Sequence, residues 1–176
     1  HHMSGTSALY FEDCRIPADK LLGEEGQGFY NIMNTFQCER LIASATFIGA
    51  AQKIFADSLQ FAKDRVAFGK PIGKFQTVAH KLADMAIELE ASRQLLYHAS
   101  WLYQNGKDFR KEVSMIKVHA ANVCHWLADQ GVQIHGGYGY TTEYPVSRAY
   151  LDLRLGSIGG GTSEIQKEII VKLLGL

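Results

Sequence analysis

Proline and cysteine are both scarce in this sequence. Only 3 of its 176 residues are proline and 47% are hydrophobic, which favours a globular core rich in helix over disorder. The three cysteines, Cys14, Cys38 and Cys124, are scattered and form no CxxC pair. Such a set argues against a disulfide framework and is typical of a reducing compartment.

Net charge and long apolar runs are also absent. Basic and acidic residues number 18 each, so the chain has no net field that would attract nucleic acid or an anionic membrane. No run of about 18 apolar residues is free of polar interruption, so we expect no membrane span. The start shows no signal-peptide pattern, and His1–Met3 has the form of a purification-tag remnant, so residues 1–6 are assigned as tag and linker.

One group of metal-ligating residue types occurs close together in the sequence, namely His119, Cys124 and His125. Positions 119 and 125 share a helix face poorly, and no second cysteine pair accompanies them. We therefore expect no metal site.

The stretch Gly26–Gln52 predicts a long, largely buried helix that continues to about Arg65. Its apolar residues recur at three- and four-residue spacing: Phe36, Ala43, Phe47, Ala50 and Ile54. Two adjacent charges, Glu39 and Arg40, lie in the middle, where we expect them inside the protein or lining a cavity. A carboxylate with little water is suited to take a proton near neutral pH. The alternative is an internal salt bridge or a polar contact between helices.

The rest of the chain predicts an all-α, antiparallel (up-down) helical bundle over residues 24–176. Apolar spacing and the placement of glycine and proline predict four further helices: from about 75 to 105, from 109 to 135, a short one after Pro145, and from Glu164 to about 174.

Residues 7–23 have a different pattern. Ala8–Phe11 alternates as a single extended strand that runs into a turn at Pro17. A lone strand has no partner in a helical chain. Either it pairs with a neighbouring molecule, or it belongs to a sheet outside this sequence.

Three loops have compositions that favour ligand binding. QIHGGYGY (133–140) follows a helix and SIGGGTSE (157–164) precedes one; glycines let a ligand approach the backbone, and free amides at a helix start favour an anion. RVAFGKPIGKFQ (65–76) places an arginine, which can clamp a pyrophosphate, beside a phenylalanine and a glutamine. Plain connections with helix caps are the alternative. Neither glycine loop is a GxGxxG after a strand, so a Rossmann fold is not supported.

Four ordered segments together resemble one family, the acyl-CoA dehydrogenases: FEDCRIPADKLLGEEGQGF, RVAFGKPIGKFQ, QIHGGYGY and YPVSRAYLDLRLGSIGGGTSEIQKEII. The chain is similar to the C-terminal helical domain of that family, preceded by the last strand (residues 7–23) of its middle β-domain. The resemblance implies an FAD enzyme that removes hydrogens from Cα and Cβ of an acyl-CoA thioester. A carboxylate takes the α-proton, a hydride leaves Cβ for the flavin, and electrons pass to an electron-transferring flavoprotein.

The resemblance also implies a homo-oligomer, a dimer or tetramer at full length. The compartment is the cytoplasm in a bacterium or the mitochondrial matrix in a eukaryote. The N-terminal helical domain and most of the β-domain of the family lie outside this sequence, so we expect the chain by itself to be inactive.

Site residues follow from the resemblance position by position. The FAD contacts expected across a subunit interface are Arg65, Phe68, Gln76, Gln133, His135, Gly136 and Gly137. Flavin contacts at the start of the last helix are expected from Thr162 and Glu164. The substrate-side positions are Phe36, Gln37, Arg40, Gly160 and Gly161.

The catalytic base is the point at which this sequence departs from most of the family. Most members place a glutamate at the position of Gly160. In the isovaleryl-CoA and long-chain enzymes the base comes instead from the long helix, immediately before an arginine. That position is Glu39, followed by Arg40, so the resemblance and the apolar helix both favour Glu39 as the base.

Two other functions remain open on the same scaffold. One is an acyl-CoA or nitroalkane-type oxidase. The other is a non-catalytic DNA-binding relative, against which the balanced charge argues.

Overall fold

The computed structural model describes residues 7–176, so the residues assigned as tag and linker, 1–6, lie outside the described range. Five α-helices carry the fold within that range, which confirms the predicted all-α bundle. They are α1 (Gly28–Asp64), α2 (Gln76–Gln104), α3 (Arg110–His135), α4 (Pro145–Leu153) and α5 (Ser163–Leu173). Short 3-10 turns cover Ala18–Lys20, Ile72–Lys74, Gly136–Tyr140 and Arg154–Ser157. None of the helices in residues 7–176 is long and apolar enough to cross a membrane.

Helix α3 forms the centre of the bundle and packs against each of the other four helices. Its apolar stripe is buried throughout: Val113, Ile116, Ala120, Val123, Leu127 and Ile134. Gly131 lets α1 and α4 approach closely, because a Cβ there would lie 2.9 Å from Ile54 and 2.8 Å from Val146. The close packing of α1, α3 and α4 therefore depends on a missing side chain.

Helix α1 is buried along a narrow stripe rather than over most of its surface. The buried positions are Arg40, Ser44, Ile48, Ala51, Ile54, Ser58 and Ala62. Of the five residues predicted as its apolar stripe, only Ile54 is fully buried, and Phe36, Ala43, Phe47 and Ala50 are half-buried. The first three turns of α1 contain no buried residue, so the expectation of a largely buried helix is wrong for its N-terminal part.

A small hairpin replaces the loop predicted between α1 and α2. Strand β1 (Val66–Ala67) pairs antiparallel with strand β2 (Lys70–Pro71). Both residues of the turn have positive φ, 52° at Phe68 and 81° at Gly69, as a type I′ turn requires. A bulky residue rarely adopts this conformation, and the turn leaves the Phe68 side chain 95% exposed.

The strand predicted at Ala8–Phe11 is not formed, because no neighbouring strand in residues 7–176 offers its backbone a hydrogen-bonding partner. The side chains of Leu9, Tyr10 and Phe11 are exposed. Helix α1 begins at Gly28, shortly after Gly26, which has a φ of 81°. The division between a β-domain end and the bundle near residue 23 stays a prediction.

Candidate functional site

Two buried cations hold the glycine-rich loop that leads into α5. Arg40 Nε on α1 donates to the carbonyl oxygen of Gly160 at 3.2 Å. Lys117 Nζ on α3 donates to the carbonyl oxygens of Gly156 at 2.8 Å and Gly161 at 2.6 Å. Hydrogen bonds from charged donors are about twice as strong as neutral ones. Side chains from α1 and α3 therefore hold the carbonyl groups of the loop between residues 156 and 161.

Gln166 on α5 completes this arrangement, and we call Arg40, Lys117 and Gln166 the carbonyl clamp. Its Nε2 lies 3.4 Å from the carbonyl oxygens of both Gly160 and Gly161. Lys117 and Gln166 are fully buried, and Arg40 is 4% exposed. The clamp therefore belongs to the core and not to the solvated surface.

Burial lowers the pKa of both cations in the clamp. The pKa of Arg40 is lowered by desolvation, which the charge of Glu39 partly offsets. The pKa of Lys117 is lowered by desolvation and further by the charge of Arg40, while Glu164 acts in the opposite direction. The positive charges are thus held close together at an electrostatic cost, and the loop carbonyls help to offset that cost.

Glycine is required at position 161 by the clamp itself. Gly161 has a φ of 92°, and a Cβ there would lie 2.8 Å from Gln166 Nε2 and 3.5 Å from Arg40 Nη2. Gly160 also has a positive φ, 68°, but no atom lies within 4 Å of the position that a Cβ would take there. The two glycines therefore serve the loop for different reasons.

Glu39 is exposed, so the expectation that the helix buries this carboxylate is wrong for this chain. Successive residues of a helix are turned by about 100°. With Arg40 directed into the clamp, the Glu39 side chain points in a different direction, where it is exposed. The role of Glu39 as a base stays a prediction.

The five predicted substrate-side residues do come together. Gln37 Oε1 accepts a hydrogen bond from Arg40 Nη1 at 3.2 Å, and the guanidinium of Arg40 lies 5.8 Å from the ring centroid of Phe36. Through Arg40 they connect to Gly160 and Gly161. This part of α1 and the glycine loop therefore form one local structure.

Thr162 and Glu164 line an open cavity of about 660 Å³ between α3 and α5. Thr162 caps α5 by accepting a hydrogen bond from the Ile165 amide at 3.4 Å. The backbone N–H of Glu164 and the Thr162 hydroxyl lower the pKa of the Glu164 carboxyl. An ionised acceptor therefore lies at the rim of this cavity.

A second cavity, of about 630 Å³, is lined by Arg65, His135, Gly136 and Gly137. The His135 imidazole is buried against Phe61, with ring centroids 4.3 Å apart, and its Nδ1 is hydrogen-bonded to the Gly131 carbonyl oxygen at 2.7 Å.

In this cavity the guanidinium of Arg65 lies 5.5 Å from the ring centroid of Tyr138. No atom lies within 4 Å of the position a Cβ would take at Gly136 or Gly137. The buried His135 side chain thus forms part of the cavity wall, while Arg65 and the two glycines are accessible to a ligand.

Three other predicted cofactor residues lie on the surface outside this cavity. Phe68, Gln76 and Gln133 are exposed, and Phe68 contacts Phe75 edge to face at 6.2 Å between ring centroids. Of the nine predicted cofactor residues, four therefore line this cavity, two line the cavity between α3 and α5, and three are exposed outside both.

No group of three or more histidine, cysteine, aspartate or glutamate residues in the described range is placed to hold a metal ion. Cys124 faces the core, and burial raises the pKa of its thiol to about 12. The thiol is therefore protonated at neutral pH.

Sequence reasoning missed two members of the clamp, Lys117 and Gln166. A signal for Lys117 was present. It follows Val113 by four residues and precedes Ala120 by three, which places a charged side chain on the apolar stripe of α3. Gln166 has no comparable signal, because a glutamine in a short amphipathic helix is ordinary.

Comparison with known proteins gives a consistent result. The family profile described as "Acyl-CoA dehydrogenase, C-terminal domain" matches residues 26–175. The caffeyl-CoA reductase-Etf complex subunit CarC of Acetobacterium woodii is 43% identical over 169 residues, which cover 96% of this chain and 45% of CarC.

Solved structures agree with this match. Butyryl-CoA dehydrogenase from Megasphaera elsdenii superposes with a TM-score of 0.92 at 40% identity, over 94% of this chain and 43% of that one. PigA, solved with FAD and proline, superposes with a TM-score of 0.91 at 33% identity, over 94% of this chain and 43% of its own. The chain thus spans less than half the length of these relatives. It belongs to the acyl-CoA dehydrogenase family.

Proposed function

We propose that the protein containing this chain is an FAD-dependent acyl-CoA dehydrogenase in which Glu39 takes the α-proton of the thioester. The observation that carries the proposal is the 3.2 Å hydrogen bond from Arg40 Nε to the Gly160 carbonyl oxygen. It ties the turn of α1 that holds Glu39 to the loop where most family members place their base. That loop has a glycine at position 160, so the neighbouring acid on α1 is the candidate to replace it.

Glu39 is exposed on this chain, and we propose that the rest of the protein and the acyl chain of the substrate cover it. The exposed apolar side chains near the start of α1 support such a cover, since Phe29, Tyr30 and Ile32 are each more than half exposed. Excluding water strengthens a carboxylate as a base. The hydrogen bond from Arg40 to Gly160 keeps the glycine loop next to the turn of α1 that carries Glu39.

The two cavities fit a flavin nucleotide held between two copies of the chain. Arg65 offers an exposed guanidinium, and Gly136 and Gly137 let a phosphate approach the backbone. Thr162 and Glu164 offer a hydroxyl and an ionised carboxylate to the hydroxyl and N–H groups of the same cofactor. When bound, FAD supplies the hydride acceptor.

We also propose a homo-oligomer. Arg65, Gly136 and Gly137 line one cavity, whereas Thr162 and Glu164 line another. The resemblance assigns the residues of the first cavity to a cofactor shared with a neighbouring subunit. The proposed electron acceptor is an electron-transferring flavoprotein, in line with the Etf complex to which the relative CarC belongs. The proposed compartment is the bacterial cytoplasm or the mitochondrial matrix.

The test is the Glu39→Gln variant of the full-length, FAD-loaded protein, assayed against a panel of acyl-CoA thioesters with an artificial electron acceptor. Glutamine keeps the size and the polarity but cannot take a proton, so we expect turnover to fall by about 10³-fold or more while FAD stays bound. Glu168→Gln, at an exposed glutamate on α5, is the matched control and should keep wild-type turnover.

Normal turnover by the Glu39→Gln variant would contradict the assignment of the base. Hydrogen peroxide formed in air at the rate of turnover, without any other acceptor, would favour an oxidase over a dehydrogenase. We further propose that residues 1–176 alone are inactive, and dehydrogenase activity of the isolated chain supplied with FAD would contradict this.

A further inference from the structure

We infer that Lys117 is a positioning residue for the proposed reaction, because its ammonium group fixes the glycine loop through the carbonyl groups at both ends. The inference rests on the proposed function for its catalytic meaning. The structural part, that Lys117 sets the conformation of residues 156–161, stands independently of it.

Lys117 contacts both ends of the loop. Lys117 Nζ lies 2.8 Å from the Gly156 oxygen and 2.6 Å from the Gly161 oxygen, which are five residues apart in sequence. The residues between them include Gly159 and Gly160, which lack side chains that could anchor the loop. A flexible segment thus has both ends attached to one rigid point on the central helix.

The carbonyl directions also fix the amide directions. A peptide group is planar and trans, so the N–H of a residue points opposite to the preceding carbonyl group. Lys117 therefore turns the N–H of Thr162 away from the clamp, and Arg40 does the same for the N–H of Gly161. Oriented amides beside a reacting thioester are the groups that stabilise negative charge on its oxygen.

A side chain that only fills space in the core does not need a charged ammonium group. Lys117 is fully buried on a stripe that is otherwise apolar, and Arg40 lies close enough to disfavour its charge. Burying a charge is unfavourable unless hydrogen bonds compensate it. The hydrogen bonds that compensate the Lys117 charge are made to two carbonyl oxygens of this loop, so the buried charge is coupled to the loop conformation.

The test is Lys117→Met in the full-length, FAD-loaded protein. Lys81→Met is the matched control, because Lys81 is also a lysine that bridges helices, with its Nζ 2.6 Å from Gln130 Oε1, but it lies outside the clamp. Backbone amide hydrogen exchange over residues 157–162 and steady-state kinetics are measured for both variants, together with thermal unfolding and FAD content.

We expect Lys117→Met to speed amide exchange in the loop by about tenfold or more and to lower kcat by about 10²-fold, the loss typical of a displacement of about 1 Å. KM should change much less than kcat, since the loop is proposed to act on the reacting thioester and not on the rest of the substrate. Lys81→Met should change neither loop exchange nor kcat, although both variants lower the melting temperature.

Wild-type loop exchange and wild-type kcat in Lys117→Met would overturn the inference. So would a loss of kcat that only follows loss of FAD or of folded protein. If Lys117→Met does not fold, Lys117→Gln replaces it, because its amide can still donate to one carbonyl; faster loop exchange supports the inference and unchanged exchange overturns it. Normal turnover by Glu39→Gln would remove the proposed base but would leave the loop-exchange result standing.

Discussion

The two glycine-rich turns look alike in sequence and differ in what restrains them. The turn at Gly136–Tyr140 follows α3 and rests on aromatic packing, in which Tyr144 contacts the ring of His135 at 5.6 Å and that of Tyr138 at 5.4 Å. The loop at 156–161 precedes α5 and is held by charged donors that reach its carbonyl oxygens. The first turn shapes an open cavity, whereas the second is fastened to the core.

The two glycines Gly161 and Gly137 differ in whether the fold requires them. Gly161 is needed by the fold, because its backbone has a positive φ and a Cβ would collide with Gln166. Gly137 has neither constraint, since its φ is not in the left-handed region and its surroundings are open. A glycine that the fold does not require is a candidate for close contact with a ligand.

Among the glycine substitutions, the largest effect is expected from Gly161→Ala, which would distort the second loop. The methyl group would have to displace Gln166 and the backbone would be strained, so we expect the free energy of unfolding to fall by about 1–3 kcal/mol. We also expect kcat of the full-length protein to fall by about 10²-fold, because the clamp would no longer hold its geometry. Denaturant unfolding and steady-state kinetics measure the two effects.

Gly160→Ala is the matched control, since its φ is also positive but nothing lies within 4 Å of the new methyl group. It should cost only the backbone strain, about 1 kcal/mol. Equal losses of stability in the two variants would show that contact of the new methyl group with the clamp does not matter.

A smaller and opposite effect is expected from Gly137→Ala in the first turn. The fold should tolerate it, with stability unchanged or raised by up to about 1 kcal/mol. If the turn contacts the FAD phosphates, the same methyl group should weaken FAD binding, measured by the apparent Kd after removal and readdition of the flavin. Gly49→Ala, at an exposed site on α1 with open surroundings, should leave FAD binding unchanged. Unweakened FAD binding in Gly137→Ala would contradict the proposed contact.

The sequence predicted the helices well because their signals are local. Apolar spacing and the placement of glycine and proline, such as Pro145 at the start of α4, are properties of neighbouring residues. The small hairpin at Val66–Pro71 was missed, since two-residue strands carry almost no periodicity. The strand at Ala8–Phe11 was expected but is not formed, because a strand depends on a partner that residues 7–176 do not provide.

The candidate site was predictable only in part, for the same reason. The grouping of Phe36, Gln37 and Arg40 with the glycine loop follows from the family motifs and agrees with the structure. The exposure of Glu39 could not be read from apolar spacing, because that spacing does not say which segment covers a helix face. The place of Lys117 on the apolar stripe of α3 signalled a buried charge, but its two acceptors are backbone atoms, which sequence patterns do not identify.

The most direct test of the account is the rate at which the full-length protein exchanges the α-protons of an acyl-CoA thioester with D₂O, compared between wild type and Glu39→Gln. This exchange reports proton removal separately from hydride transfer. We expect the wild-type protein to exchange the α-protons and Glu39→Gln, with FAD still bound, to exchange them more slowly by about 10³-fold or more. Exchange at the wild-type rate in Glu39→Gln would show that another group takes the proton.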